Sequence, residues 1–179
     1  MRLGDDGWVE GARRAASPNR DERAAGEMIS LLLLHCISLP AGEYGGRVIE
    51  DLFNNCVDCA AHPGFAQLRD LRVSAHFLVR RDGELVQFVE AGARAWHAGV
   101  SRWRGRPRCN DFSIGVELEG TDDTPFADAQ YVVLAALIRA LRARLPLTDV
   151  AAHSDVAPER KTDPGVKFDW SRLLASLSA

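Results

Sequence analysis

Three stretches of this 179-residue chain carry side chains that could do chemistry together. HSDVAPERKTDPG, residues 153–165, holds His153, Lys161 and Asp163 in one segment that ends in Asp-Pro-Gly. That segment has two readings. Asp163-Pro164-Gly165 is good turn chemistry, and Ser154 or Asp155 could cap a short helix. Alternatively, His153 and Asp163 are metal ligands and Lys161 faces the same pocket. A further histidine, His35, ends the apolar run SLLLLHCIS, and Glu117 lies within DFSIGVELEG. Two imidazoles and a carboxylate with an open fourth position form the pattern of a catalytic zinc, whereas structural zinc sites are closed by four protein ligands. Zinc brings the pKa of bound water from about 16 to roughly 7. Glu117 suits the base that takes the water's proton, and Lys161 suits the cation that meets an oxyanion. No local signature such as H-E-x-x-H is present, so spacing alone leaves the plain alternatives open. They are strand-end histidines satisfied in the core, an exposed strand glutamate and a turn.

The elements must bring these residues together across the chain. SLLLLHCIS has the length and continuous apolarity of a strand buried on both faces. VSAHFLVRRDGELVQFVE reads as a hairpin around Arg81-Asp82-Gly83. DFSIGVELEG alternates, with Phe112, Ile114, Val116 and Leu118 on one face and Glu117 on the other, beside Gly115 and Glu119. A helix is expected from Thr124-Pro125, with Leu134, Leu137, Ile138, Leu141 and Leu145 at helical spacing and Pro146 as its stop. TDVAAH is a short strand delivering His153 to its end, and DWSRLLASLS is a closing helix. RVIEDLFNN is a short amphipathic segment, and residues 55–70 read as extended loop. The expected fold is α/β: a single mixed β-sheet with helices packed on its faces, in one domain over residues 1–179. Strands ending side by side in that sheet would join His35 to His153. Of the other histidines, His76 sits mid-strand and reads as structural, His97 follows Trp96 in a loop and could line a cleft, and His62 reads as surface.

Composition narrows the class. Hydrophobic residues make up 46% and charged residues 26%, as in an ordinary globular chain. Net charge is -3, which argues against a broad basic field for nucleic acid. Lys161 and Lys167 are the only lysines, both beside the segment of interest, so Lys161 does not read as solubilising decoration. The first residues have mixed charge and no apolar run before residue 30, and Ile29–Leu39 is too short to span a membrane. The expectation is a cytoplasmic chain without a membrane or an obligate protein partner. Cys36, Cys56, Cys59 and Cys109 then read as thiols. Cys56-Val-Asp-Cys59 matches C-x-x-C, but a structural zinc lacks a complete ligand set there, and the surroundings read as loop rather than a redox strand-to-helix turn.

Over nearly its whole length the chain resembles a known family. LLLLHCISLPAGEYGG, LRVSAHFLVRRDGELVQFV, RAWHAGVSRWRGRPRCNDFSIGVELEGTD and HSDVAPERKTDPGVKFDW carry the likeness, with GWVEGARR and SPN near the start. They resemble the cytoplasmic 1,6-anhydro-N-acetylmuramoyl-L-alanine amidases of the AmpD type, within the wider amidase family of phage T7 lysozyme and the peptidoglycan recognition proteins. The resemblance implies one zinc ion per chain on His35, His153 and Asp163, with Glu117 and Lys161 as catalytic residues. It implies hydrolysis of the amide between the lactyl group of anhydro-muramic acid and L-alanine, in recycling of peptidoglycan fragments. Arg72, Trp96 and Arg108 fall at positions that resemble substrate contacts: an arginine fork suits a carboxylate and an indole suits a sugar ring. One departure is Cys36, where the family usually has asparagine after the first histidine. A broader amidase that also cuts non-anhydro fragments is the nearest alternative. A muropeptide-binding module without catalysis is a second, though such binders typically lack a zinc ligand that is present here.

Overall fold

Four consecutive leucines, Leu31–Leu34, form the body of an interior strand of the sheet, and each is fully buried. The computed structural model describes residues 1–178. In chain order the strands are β1 (Arg13–Arg14), β2 (Arg20–Asp21), β3 (Leu31–Ile37), β4 (Phe77–Val79), β5 (Leu85–Gln87), β6 (Arg94–Ala95), β7 (Arg102–Trp103), β8 (Arg106–Pro107), β9 (Ser113–Glu119) and β10 (Asp149–Ala152). The helices are α1 (Val48–Phe53), α2 (Asp128–Arg142), α3 (His153–Val156) and α4 (Trp170–Ser178). Among the described residues six strands form the main sheet, in the order β1-β5-β4-β9-β3-β10. The β4–β5 pair is antiparallel; β1–β5, β4–β9, β9–β3 and β3–β10 are parallel. The sheet is therefore mixed, with helices on its faces, as expected.

The period-2 alternation of side chains divides β3 and β9 between two cores. Leu32, Leu34, Ile114, Val116 and Leu118 face the cluster that also holds Leu134, Leu137, Ile138 and Leu141 of α2 and Leu173 of α4. Leu31 and Leu33 face the other side, with Ala98, Cys109, Phe112, Ala151 and Val156. Leu78 of β4 joins Ile49, Leu52 and Phe53 of α1 on that second side. The leucine run is apolar throughout because both faces are covered.

Local corrections follow from side-chain bonding. Helix α2 starts at Asp128, later than Thr124-Pro125, with the Gln130 side chain accepting the Ala127 N–H. Thr121, Asp123 and Thr124 bond to one another in a turn instead, and Phe126 packs into the core against Phe168. The helix ends at Arg142, short of Pro146. Residues Pro63–Leu68, read as extended loop, form a 3-10 turn capped by His62, whose ring accepts the Gly64 N–H. His76 lies just before β4 rather than mid-strand.

Candidate metal centre and active site

Parallel pairing decides which residues meet. In the β3–β9 register His35 lies opposite Glu117, and in the β3–β10 register Ala152 lies opposite Leu34. His153, the next residue, therefore emerges beside His35 at the carboxyl ends of neighbouring strands. The chain then turns through residues 157–162, where Arg160 and Lys161 N–H groups both donate to the Ala157 carbonyl. Ser154 N–H donates to the Asp163 carbonyl, which returns Asp163 to the first turn of α3.

Three atoms converge there. His35 Nδ1 is 2.9 Å from His153 Nδ1 and 3.2 Å from Asp163 Oδ2, and His153 Nδ1 is 3.0 Å from the same oxygen. Both histidines are buried. His153 Nε2 lies 3.2 Å from the Ala98 carbonyl, which can only accept, so Nε2 carries a proton and Nδ1 is the nitrogen offered to a metal. Burial pushes His35 down to about 4, against a smaller upward pull from Asp163, so this ring is neutral at pH 7. Burial works against ionisation of Asp163, but its close contacts with His153 and His35 outweigh it and hold the carboxyl below the usual carboxylate range. Lone pairs crowded this closely suit a cation. Tetrahedral zinc with bonds of about 2.0–2.1 Å separates its ligand atoms by about 3.3 Å, close to the spacings observed. Among the described residues this is the one group of three or more such side chains with metal-site spacing.

The three side chains line a cavity of about 510 Å³ together with Glu117, Lys161, Arg72, Trp96, His97 and Arg160. Glu117 Oε2 is buried with no hydrogen-bond partner among the described residues. Burial first, then the Asp163 charge, pushes its carboxyl well above the ordinary range, with Lys161 opposing. A carboxyl so placed holds a proton more readily than an ordinary carboxylate and suits proton transfer. Arg72 and Trp96 are in the cavity wall, whereas Arg108 is not. The Arg108 side chain is 74% exposed and paired with Asp111.

Cys36 turns away from the metal ligands. Its Sγ is 3.0 Å from Asp122 Oδ1, and burial followed by Asp122 pushes the thiol up, which disfavours a thiolate ligand. Cys56 and Cys59 are free and make only long contacts, to Asp51 at 3.6 Å and to the Val57 carbonyl at 3.7 Å. The sequence left His97 only as a possible cleft residue. Its ring is in fact packed between those of His35 and His76, a position that depends on Gly115 and was not legible in the loop sequence RAWHAG.

Comparison with known proteins agrees with this geometry. Residues 26–166 match the family model described as N-acetylmuramoyl-L-alanine amidase. The chain is 54% identical over 176 residues to the 1,6-anhydro-N-acetylmuramyl-L-alanine amidase AmpD of Escherichia coli (strain K12), covering 97% of this chain and 96% of the relative. A selenomethionine crystal structure of AmpD superposes with a TM-score of 0.96 at 55% identity, covering 99% of each chain. AmiD of E. coli, solved with the substrate anhydro-N-acetylmuramic acid-L-Ala-D-gamma-Glu-L-Lys, superposes with a TM-score of 0.61 at 32% identity, covering 87% of this chain and 60% of that one.

Proposed function

The chain belongs to the N-acetylmuramoyl-L-alanine amidase family, and from that membership we propose that it hydrolyses the amide joining the lactyl carboxyl of 1,6-anhydro-N-acetylmuramic acid to L-alanine, with one zinc ion. The observation that carries the metal part is the convergence of His35 Nδ1, His153 Nδ1 and Asp163 Oδ2 within one cavity wall that also includes Glu117 and Lys161. These three side chains would hold the ion. When bound, zinc supplies a Lewis acid that brings water's pKa down to about 7 and polarises a carbonyl.

The chain's own residues supply the rest. Glu117 takes a proton at Oε2 from the attacking water as the new C–O bond forms. It returns that proton to the L-alanine nitrogen as the C–N bond breaks, so the peptide leaves as an amine. Lys161 donates to the carbonyl oxygen as it becomes negative. Trp96 offers a flat apolar face to the sugar, Arg72 a fork to a stem-peptide carboxylate, and the exposed Arg108 a second guanidinium for the same acidic substrate. The proposed setting is a single amidase domain that recycles wall fragments in the cytoplasm. Four free thiols suit a reducing compartment. Among the described residues no helix is long and apolar enough to cross a membrane.

The test is release of tripeptide from anhydro-muramoyl tripeptide by purified protein, before and after chelation and after zinc add-back. Release that stops with chelator and returns with zinc is expected. Folded, zinc-loaded protein that releases nothing would overturn the reading. The same assay on the non-anhydro fragment measures how strictly the sugar is selected.

A further inference from the structure

His97 has no role in the steps above, yet its ring is packed between those of His35 and His76 and touches a proposed ligand. His97 Nδ1 is 2.9 Å from His35 Nε2, the ring nitrogen that points away from the metal position. The direction of this hydrogen bond can be worked out from its far end. Ser113 Oγ donates to the Cys109 carbonyl at 2.6 Å, because a carbonyl can only accept. Ser113 Oγ therefore has lone pairs left to accept from His97 Nε2, a longer contact of 3.4 Å. A neutral His97 with its proton on Nε2 has a bare Nδ1, which accepts from His35 Nε2–H. His35 Nδ1 is then left without a proton and faces His153 and Asp163.

The ring is held in that position from several sides. Its backbone N–H and that of Ala98 both donate to Asn110 Oδ1, at 3.2 and 2.8 Å. Its face lies on Gly115, where a built Cβ would stand 2.5 Å from His97 Cγ. Behind Gly115, His76 Nδ1 accepts the Gly115 N–H at 3.0 Å, and His76 Nε2 lies 3.1 Å from the Ala93 carbonyl.

We propose that His97 is a positioning residue for the metal centre, accepting the His35 Nε2 proton so that His35 is locked in the tautomer and ring orientation that leave Nδ1 open to the ion. The inference builds on the metal reading of His35, His153 and Asp163. The two proposed ligand histidines are then supported differently, His153 by a backbone carbonyl and His35 by another imidazole. An imidazole accepts only in one of its own tautomers, so this support depends on a side chain that can be exchanged by mutation.

The experiment measures zinc affinity of the metal-free chain by competition with a chromophoric chelator, for the native protein, His97→Asn and His97→Leu. The amide oxygen of His97→Asn occupies the place of Nδ1 and can accept; leucine fills similar space and cannot. Native and His97→Asn proteins are expected to agree within a few-fold, with His97→Leu weaker by about 10- to 100-fold. Nitrogen-15 spectra of the zinc-loaded native protein should show His35 bound through Nδ1 with a proton retained on Nε2. Equal affinity of folded His97→Leu, an equal loss in both variants, or a His35 ring without the Nε2 proton would each overturn the proposal. The spectrum of the native chain decides even if His97→Leu does not fold. Absence of zinc binding by the native chain would instead overturn the metal reading beneath it.

Discussion

At the residue scale, the environment assigns different tasks to two nearby carboxyls. Asp163 lies against two histidines and is held ionised, as a ligand must be. Glu117, buried with one oxygen unpartnered, is pushed well above the ordinary carboxylate range. Glu117→Gln keeps shape and removes the titratable oxygen. Its turnover is expected to fall by about 10²- to 10⁴-fold while zinc affinity, read by chelator competition, stays near native. Lys161→Ala is expected to lower kcat by about 10²- to 10³-fold if its ammonium meets the developing oxyanion. A change confined to KM in steady-state assays would move Lys161 from transition-state stabilisation to ground-state binding.

At the element scale, strand register and two close-packed glycines position the site. The parallel β3–β9 pairing puts His35 and Glu117 on the same face, and a one-residue slip between the strands would send one of them to the α2 side of the sheet. Gly115 lets the His97 ring lie directly on the strand backbone. Gly165, at φ +87°, allows the segment after Asp163 to pass Asp122, where a Cβ would lie 2.1 Å from the Asp122 carbonyl oxygen. Gly115→Ala is expected to displace the His97 ring and reduce both zinc affinity and turnover. Unchanged values for a folded variant would show that the ring tolerates displacement. Beyond Glu117, the end of β9 is tied to its neighbours by Arg80, which bonds to Glu119 at 3.1 Å and to Glu50 of α1 at 2.8 Å. All three side chains are buried. Arg80→Ala would leave buried Glu119 without a cationic partner and Glu50 with Arg13 alone, with an expected loss of about 3–5 kcal/mol in denaturant unfolding.

At the scale of the whole molecule, buried ionisable groups set how stability depends on pH. Burial first, then the Arg23 charge, takes His76 down to about 3, while in the unfolded chain it titrates near 6.5. Between those values the unfolded state binds a proton that the folded state does not, so falling pH favours unfolding. Glu50 acts in the same direction. Its hydrogen bonds to Arg13 and Arg80 outweigh burial and lower its pKa, so its contribution is present above about 4.5 and is lost as pH falls through the folded value. Metal-free protein is therefore expected to lose stability from pH 6.5 downward, with His76 alone contributing about 3 kcal/mol of that loss by pH 4. Thermal melts across that range check the sign; a flat profile would mean that His76 takes up its proton without unfolding.

What the sequence alone determined follows from periodicity and residue type. The leucine run, the Asp-Gly hairpin and the alternation in DFSIGVELEG suffice to predict an α/β sheet, because hydrophobic pattern selects the element and its buried face. Residue type and strand ends, together with the family likeness, pointed to His35, His153, Asp163, Glu117 and Lys161, and all five line one cavity. The tertiary structure decided what depends on relative placement. It turned Cys36 toward Asp122, left Arg108 outside the cavity and moved the start of α2 past the bonded turn at 121–124. It also stacked His97 on Gly115, against His35. These contacts join residues far apart in the chain, and their geometry follows from strand register and backbone approach, which a local pattern does not encode.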